Sequence, residues 1–316
     1  MVGVIASNTL TAGSAVSVKK RYEIKALPQA RHTDTFSPRR INVKGQVLGL
    51  SFGHVVLYSE GKLEDLHLLL PLELQSTGYS MPLDLNNHGD VLFLFGGHGS
   101  DRFFLVHNGA LIDLSAATSP DFRFVGMNDV GGLVGSTMLN GRQAFSYTEG
   151  QIWILGSQSG YFNTVATALN NTGTIVGWAN YGVLNNSTAV VFESDEALRL
   201  GGFYDFPKRV NDAGEILSSN YLRRPNGDVT YLTGAGLKGS GFNNHGVVVG
   251  ASTASFQGRD QAVIYDHGIL TYLNDTVEPL HGWFLNDAVD INDNGEIIGF
   301  GFLQEKFRAF LLSPHK

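Results

Sequence analysis

The chain has 316 residues, of which 43% are hydrophobic and 16% are charged, a balance that supports a large folded core and excludes an intrinsically disordered chain. Its net charge of −7 at pH 7 argues against nucleic acid and anionic membranes as partners, because basic surfaces bind both. The absence of cysteine excludes disulfides, thiol catalysis and Cys-ligated zinc.

Residues 1–18 have the composition of a flexible N-terminal arm, and residues 19–316 are expected to form a single folded body. In the arm, the apolar run from Val2 to Ala6 is short and precedes the basic residues Lys19 to Arg21, which reverses the order found in a signal peptide. No stretch approaches the roughly 18 apolar residues that a spanning helix needs. The sequence therefore predicts a soluble protein without a membrane partner.

After the arm, an Asn followed three residues later by a Gly recurs along the chain, each time just before an apolar run. The seven repeat Asn residues are Asn42, Asn86, Asn128, Asn170, Asn211, Asn243 and Asn292. Successive members lie 44, 42, 42, 41, 32 and 49 residues apart. Asn at the first position and Gly at the fourth are typical of a type I turn. A repeat of this length indicates an array or a propeller.

Each repeat contains four short segments suited to strands. In the fourth repeat, a strand ending at Asn170 is followed by the apolar run Thr174 to Trp178 and the β-branched run Thr188 to Phe192. A glycine recurs within the second strand as Gly49, Gly135, Gly177, Gly250 and Gly299. We expect these glycines to allow close approach of backbone between neighbouring sheets.

The two ends of the chain complement each other. The last repeat supplies three strands, while residues 22–27 form an isolated strand before the first repeat. Pairing of residues 22–27 with residues 308–313 closes a ring and removes two exposed sheet edges. The sequence therefore predicts an all-β, seven-bladed β-propeller with four antiparallel strands per blade. An open solenoid fits less well, because its repeats are usually shorter.

The repeat pattern resembles the HAF family of probable extracellular repeats, named after a His-Ala-Phe tripeptide. The segments that match best are Met127 to Gly135 with Gln143 to Phe145, and Ile291 to Gly299 with Arg308 to Phe310. The chain departs from the family in lacking an intact His-Ala-Phe, of which His54 keeps the first residue. The resemblance implies an extracytoplasmic, propeller-forming protein without a general catalytic motif, although no signal peptide is evident.

Charged residues mark the innermost strands. The residue two before each repeat Asn is small in three blades and is Arg40, Asp84, Arg209 or Asp290 in the other four. Buried charges are costly unless paired, so these four are candidates for a polar site in the central channel. Arg would bind a carboxylate or phosphate, and Asp would act as a base or an acceptor. The alternatives are a self-neutralising ionic plug, or side chains that point elsewhere.

The loops that join each fourth strand to the next blade vary most and are expected to gather at one mouth of the channel. The candidate residues there are His32, Tyr79, His98, Arg123, Lys208, His281, Trp283 and Asp287. Aromatic rings beside polar groups suit a small molecule or a glycan. We therefore predict a ligand-binding propeller, which recognises a small molecule, glycan or protein at this mouth. The alternative is an enzyme of lyase or transferase type, with Arg and Asp in the channel and a rim His or Tyr.

No cofactor or metal site is predicted. The segment Asp290 to Gly295 begins like a calcium loop, but Gly301 occupies the twelfth position, where a bidentate Glu is required. It is better explained as an ordinary repeat turn. The sequence does not determine an oligomeric state.

Overall fold

The computed structural model describes residues 21–28, 36–97, 101–139, 141–157, 159–180, 187–203, 206–254 and 258–315. Over these ranges the chain forms seven separate four-stranded sheets, all of them antiparallel. Contacts between successive sheets continue around the whole ring, from the seventh back to the first. The protein is therefore a seven-bladed β-propeller, which confirms the fold predicted from the sequence.

The strands follow the repeats in order. Blade 1 contains β2 (Ser37–Ile41), β3 (Val47–Ser51), β4 (His54–Ser59) and β5 (Lys62–Asp65), and blade 2 contains β6 (Tyr79–Leu85), β7 (Val91–Gly96), β8 (Arg102–His107) and β9 (Ala110–Asp113). Blade 3 contains β10 (Phe122–Met127), β11 (Leu133–Thr137), β12 (Gln143–Thr148) and β13 (Gln151–Leu155), and blade 4 contains β14 (Asn163–Leu169), β15 (Ile175–Asn180), β16 (Ser187–Glu193) and β17 (Glu196–Phe203).

Blade 5 contains β18 (Arg209–Val210), β19 (Ile216–Leu217), β20 (Tyr221–Arg223) and β21 (Val229–Tyr231), and blade 6 contains β22 (Leu237–Phe242), β23 (Val248–Ser252), β24 (Ala262–Asp266) and β25 (Ile269–Tyr272). Blade 7 contains β26 (Trp283–Ile291), β27 (Ile297–Leu303) and β28 (Lys306–Pro314), together with β1 (Tyr22–Ala26). Four single-turn helices lie between strands of the described chain: Leu66–Leu69, Leu72–Gln75 (α1), Leu114–Ala117 (α2) and Leu273–Asp275. None of them has the length or the hydrophobicity needed to cross a membrane.

The N-terminal strand closes the ring as predicted. β1 pairs antiparallel with β28, with Ile24 opposite Leu312 and Ala26 opposite Phe310. Tyr22 is also buried in the same apolar cluster as Phe310 and Leu312. The last blade is thus built from both ends of the chain, which leaves no unpaired edge between the ends.

The core lies between neighbouring blades. At the junction of blades 2 and 3, for example, Leu92 and Phe103 pack with Phe124 and Phe145, and the last two rings meet edge to face at 5.1 Å. Burial of such clusters at each junction is the main stabilising contribution to the fold, at about 25 cal/mol per Å² of apolar surface.

The glycines of the second strands make their close contact within a blade, and the expectation of contact between neighbouring sheets is wrong. A Cβ atom built on Gly177 would lie 1.9 Å from the carbonyl oxygen of Val165, in the first strand of the same blade. Gly135 stands in the same relation to Arg123, and Gly250 to Lys238. The cause is a bulge in the first strand, such as the register shift between Ala166 and Ala168 in β14, which brings its backbone over the second strand.

The turns of an antiparallel meander alternate between the two ends of the ring. The repeat Asn turns lie at one end, which we call the turn end. The links between blades lie at the other, which we call the loop end. The distinction decides which residues can surround a given mouth of the channel.

Candidate functional site

Each repeat Asn joins its blade to the next one. In blade 1 the Asn42 side-chain oxygen accepts hydrogen bonds from the backbone N–H groups of Lys44 and Gln46, at 3.1 and 3.0 Å. The side-chain amide of Asn42 donates to the carbonyl oxygen of Asn86 in blade 2, at 3.0 Å. The same bond runs from each repeat Asn to the next around the ring, ending with Asn292 and Asn42. The repeated residue thus holds its own turn together and links the blades.

The residue after each repeat Asn forms a second set around the mouth, which we call the outer ring. Its members in chain order are Val43, Asn87, Asp129, Asn171, Asp212, Asn244 and Asp293. The amide of Asn171 donates to Asp129 Oδ2 at 2.9 Å and to Asp212 Oδ2 at 3.0 Å. Asn244 bridges Asp212 and Asp293 in the same way, at 3.1 and 2.9 Å. Amide and carboxylate alternate because the amide group supplies two donors and the carboxylate only accepts.

The outer ring was not identified from the sequence, although a signal exists there. The position directly after the repeat Asn alternates between Asn and Asp from Asn87 to Asp293. Each position taken singly is an ordinary turn residue. Only the alternation across repeats indicates that these side chains meet.

The four charged channel residues come together as two ion pairs. Arg40 Nε donates to Asp84 Oδ1 at 2.9 Å, and Arg209 Nη2 lies 3.1 Å from Asp290 Oδ1. The second oxygen of each carboxylate accepts a backbone N–H from the neighbouring blade, from Met127 to Asp84 at 3.0 Å and from Ile41 to Asp290 at 3.2 Å. The predicted grouping is therefore observed, and each charge has a partner.

Small residues at the same level make room for these pairs. A Cβ atom on Gly241 would lie 2.5 Å from Asp290 Oδ1, and one on Gly126 would lie 3.5 Å from Asp84 Oδ2. Gly241 stands in blade 6, between Arg209 of blade 5 and Asp290 of blade 7. The glycine therefore lets Arg209 reach a carboxylate two blades away.

The two guanidinium groups have different electrostatic surroundings. Burial lowers the pKa of Arg40, but Asp84 and Asp290 more than offset this effect, so the pKa lies above its ordinary value. Burial and the nearby charge of Arg40 lower the pKa of Arg209 below its ordinary value, despite the attraction of Asp290. Both side chains remain cations at neutral pH, since a guanidinium keeps its proton in proteins.

Two polar cavities open beside these pairs at the turn end of the described structure. The first has a volume of about 180 Å³, and its lining includes Arg40, Asp84, Lys208, Arg209, Asp129 and Asp212. The second has a volume of about 140 Å³, and its lining includes Arg209, Asp290, Val43, Asn244 and Asp293. Arg209 and Val210 line both, so the cavities adjoin. They lie at the opposite end of the channel from the loop mouth where the sequence predicted a ligand.

Trp283 and Tyr79 occupy different environments. Trp283 is buried in the apolar cluster between blades 6 and 7, with its ring 6.1 Å from that of Phe310, so its prediction as a mouth residue is wrong. Burial of this large apolar ring between the two sheets keeps it away from the mouth. Tyr79 is about half exposed at the start of β6 and packs on Gly96.

Most of the other mouth candidates are dispersed. Arg123 forms an ion pair with Asp101 at 3.5 Å, and its guanidinium lies 5.9 Å from the centre of the Phe103 ring. His281 is exposed in a loop with a φ of 49°. Lys208 donates to the Gly239 carbonyl oxygen at 3.3 Å and lines the first cavity. His32 and His98 lie outside the described residues.

Asp287 is the mouth candidate with the most perturbed chemistry. Burial, together with the nearby charge of Asp260, raises the pKa of Asp287 to about 6, while Lys208 partly opposes this shift. Its Oδ1 atom is buried and has no hydrogen-bond partner among the described residues. A carboxyl group that titrates near neutral pH is suited to proton transfer.

The segment that begins like a calcium loop is used in contacts within the protein. Asp290 pairs with Arg209 and Ile41, and Asn292 binds its own turn and Asn42. Within the described ranges, no three His, Asp or Glu side chains are grouped closely enough to hold a metal ion.

Comparison with known proteins supports the fold alone. No protein-family model matches the chain, and no curated protein matches it by sequence. Among solved structures, the chain is similar to virginiamycin B lyase from Staphylococcus aureus, with a TM-score of 0.51 and 12% identity over 92% of this chain and 99% of that one. A streptogramin B lyase structure matches with a TM-score of 0.50 and 9% identity over 94% and 99% of the two chains. Fold and site together define the protein as a seven-bladed propeller with a charged channel.

Proposed function

We propose that this protein is a ligand-binding propeller that takes a small molecule with an anionic group into the first cavity at the turn end. The observation that supports this most directly is an open polar cavity lined by two arginines, Arg40 and Arg209. Concave sites with a few fixed polar groups are the usual form of small-molecule sites.

The donors of Arg40 are only partly used. Its Nε donates to Asp84 and its Nη1 donates to the Arg39 carbonyl oxygen, whereas Nη2 makes no hydrogen bond with any described residue. The side chain is 28% exposed, so a ligand has access to it. A carboxylate or phosphate matches the planar fork of a guanidinium group.

The two carboxylates hold the guanidinium groups in place. Asp84 and Asp290 are themselves anchored by backbone N–H groups of the next blade. Arg40 and Arg209 are therefore oriented before a ligand arrives, which reduces the entropy lost on binding. This is a role for the ion pairs beyond neutralising the channel.

The enzymatic alternative has one observation in its favour. Asp287 has a raised pKa of about 6 and an unpaired buried oxygen, as a general base requires. However, the enzymatic alternative requires a His or Tyr as the acid or base, and no His or Tyr of the described residues lines either cavity. The site therefore supports binding better than catalysis.

The test is a thermal-shift and calorimetric screen of small carboxylates, sugar phosphates and neutral sugars. The variant is Arg40→Met combined with Asp84→Asn, which removes the guanidinium without changing the net charge of the cluster. The control is Arg259→Met, which breaks a remote ion pair with the exposed Glu305. Anionic compounds should bind the parent and the control with similar affinity and stabilise both. Their affinity for the double variant should be roughly tenfold lower. A compound that stabilises all three proteins equally would refute the channel site.

A further inference from the structure

The alternation of the outer ring cannot close. Seven positions are an odd number, so at least one position must interrupt a strict sequence of Asn and Asp. The interruption is at Val43 of blade 1, between Asp293 of blade 7 and Asn87 of blade 2. The backbone N–H of Val43 still donates to Asn87 Oδ1 at 3.1 Å, but its side chain supplies no amide to Asp293.

The interruption leaves Asp293 with fewer donors than the other ring carboxylates. Asp129 receives amides from Asn87 and Asn171, one on each side, and Asp212 is bridged by Asn171 and Asn244. Among the described residues, Asp293 accepts hydrogen bonds on one side only, from the backbone N–H and the side-chain amide of Asn244 at 2.8 and 2.9 Å. Its carboxylate therefore keeps acceptor capacity on the side of Val43.

A second carboxylate on the same cavity, that of Asp290, has one oxygen bonded to the Ile41 N–H and one without an aligned hydrogen-bond donor in the described part of the chain. The Asp290 side chain is 2% exposed, and its Oδ1 atom has no hydrogen-bond partner among the described residues. Arg209 Nη2 lies 3.1 Å away, close enough for an ion pair but without the alignment of a hydrogen bond. Buried polar atoms in proteins normally have a hydrogen-bond partner, so Oδ1 is an exception within the described residues.

The charges along the second cavity are therefore unbalanced. Asp290 and Asp293 contribute two negative charges to its lining, and Arg209 is the one cation among the described residues there. In the first cavity, by contrast, Arg40, Lys208 and Arg209 balance the three carboxylates of Asp84, Asp129 and Asp212. The second cavity is thus the more negative of the two and favours a cationic donor, whereas an anionic group in the first cavity would accept from the unused Nη2 of Arg40.

We infer that the ligand is a zwitterion, with its anionic group in the first cavity and a protonated amine in the second, between Asp290 and Asp293. This inference rests on the proposed function. The two cavities share Arg209 and Val210, so one small molecule can occupy both. An ammonium group supplies three donors, which suits two carboxylates that are each short of one. The chemical class is that of amino acids and related amino-carboxylates or amino-phosphonates.

The experiment compares matched compounds that differ in the amine alone, using calorimetry on the full chain. The probes are the common amino acids and the carboxylic acids that result from replacing the amino group with hydrogen, such as glutamate with glutarate. We expect at least one amino acid to bind about tenfold more tightly than its partner, as a charge-assisted hydrogen bond provides. Equal binding of both members would refute the zwitterion and leave the anion site intact. If neither class binds, the proposed function fails as well.

Two variants locate the amine. Val43→Asn places the missing amide beside Asp293, and Asp293→Asn removes the charge while keeping the shape. Each should lower the affinity for the amino acid about tenfold and leave that for the deaminated partner unchanged. The matched control is Asp129→Asn, in a carboxylate that is bridged on both sides and lines the first cavity. The Asp129→Asn control should keep the preference for the amino acid over its deaminated partner. A loss of that preference in all three variants would refute the position assigned to the amine.

Discussion

The side-chain amide of Asn292 donates to the carbonyl oxygen of Asn42 at 2.8 Å, a hydrogen bond between residues 250 positions apart in the chain. It is the last of the inter-blade bonds between repeat Asn residues, and it joins blade 7 to blade 1. The β1 and β28 pairing closes the ring at its periphery, and this bond closes it around the channel.

Asn292→Ala should lower the free energy of unfolding by about 1–3 kcal/mol, because it removes the inter-blade donor to the Asn42 carbonyl oxygen, which retains the Gly45 N–H, and leaves the Glu296 N–H without its side-chain acceptor in a buried turn. Urea denaturation measures the change. Asn226→Ala is the matched control, since Asn226 is exposed and makes only local contacts with Asp228. Asn226→Ala should lower the free energy of unfolding by less than about 0.5 kcal/mol. Equal effects in the two variants would contradict a structural role for the inter-blade bond.

Arg40 and Asp84 should show energetic coupling in a double-mutant cycle. The single variants Arg40→Met and Asp84→Asn each leave a partly buried charge without its partner. The sum of their losses in free energy of unfolding should therefore exceed the loss in the double variant by about 1–2 kcal/mol. The exposed pair Arg259 and Glu305 provides the comparison, with an expected coupling below about 1 kcal/mol. Chemical denaturation of all the variants gives both values, and a coupling near zero for Arg40 and Asp84 would show that they do not act as a pair.

Asp287→Asn should stabilise the protein at neutral pH. The raised pKa of about 6 means that the folded protein holds this proton more tightly than the unfolded chain, whose ordinary value is 3.8. Ionisation of Asp287 therefore reduces stability as pH rises from about 4 to 6, and the full cost is present above that window. The stability gained by the variant should grow over this range and reach about 3 kcal/mol by pH 7.

Thermal unfolding of the Asp287→Asn variant and the parent across pH 4–8 measures the difference. Asp228→Asn, in an exposed hairpin, is the matched control for replacing a carboxylate with an amide. A constant difference between Asp287→Asn and the parent at every pH would indicate that Asp287 does not titrate in this window.

Gly177→Ala should prevent folding or lower the free energy of unfolding by more than about 2 kcal/mol. The added Cβ would lie 1.9 Å from the Val165 carbonyl oxygen, which the strand bulge fixes in place. Gly234→Ala serves as the control, since its Cβ would meet the Tyr231 carbonyl oxygen at 3.4 Å, an ordinary contact. The melting temperatures of both variants test the prediction, and similar values would show that the first strand can move away.

The sequence was sufficient to predict the architecture because each repeat specifies its strands locally. The spacing of the Asn turns predicted seven blades, and the three-strand last repeat predicted that Tyr22–Ala26 would complete the ring. The same spacing placed Arg40, Asp84, Arg209 and Asp290 at one level of the channel, where the structure brings them together. Most of the loop candidates were not brought together, because loop position in the sequence does not determine where a side chain points.

The repeat, the blade number and the level of each charge follow from local turn and strand preferences, so they could be predicted from the sequence. The choice of partners depends instead on the folded arrangement of the blades. The bond from Arg209 to Asp290 passes over Gly241, and the outer ring depends on contacts between turns of different blades. The tertiary structure also located the cavities at the turn end, since closure of the ring determines which side chains converge and which carboxylates, such as Asp293, remain short of donors.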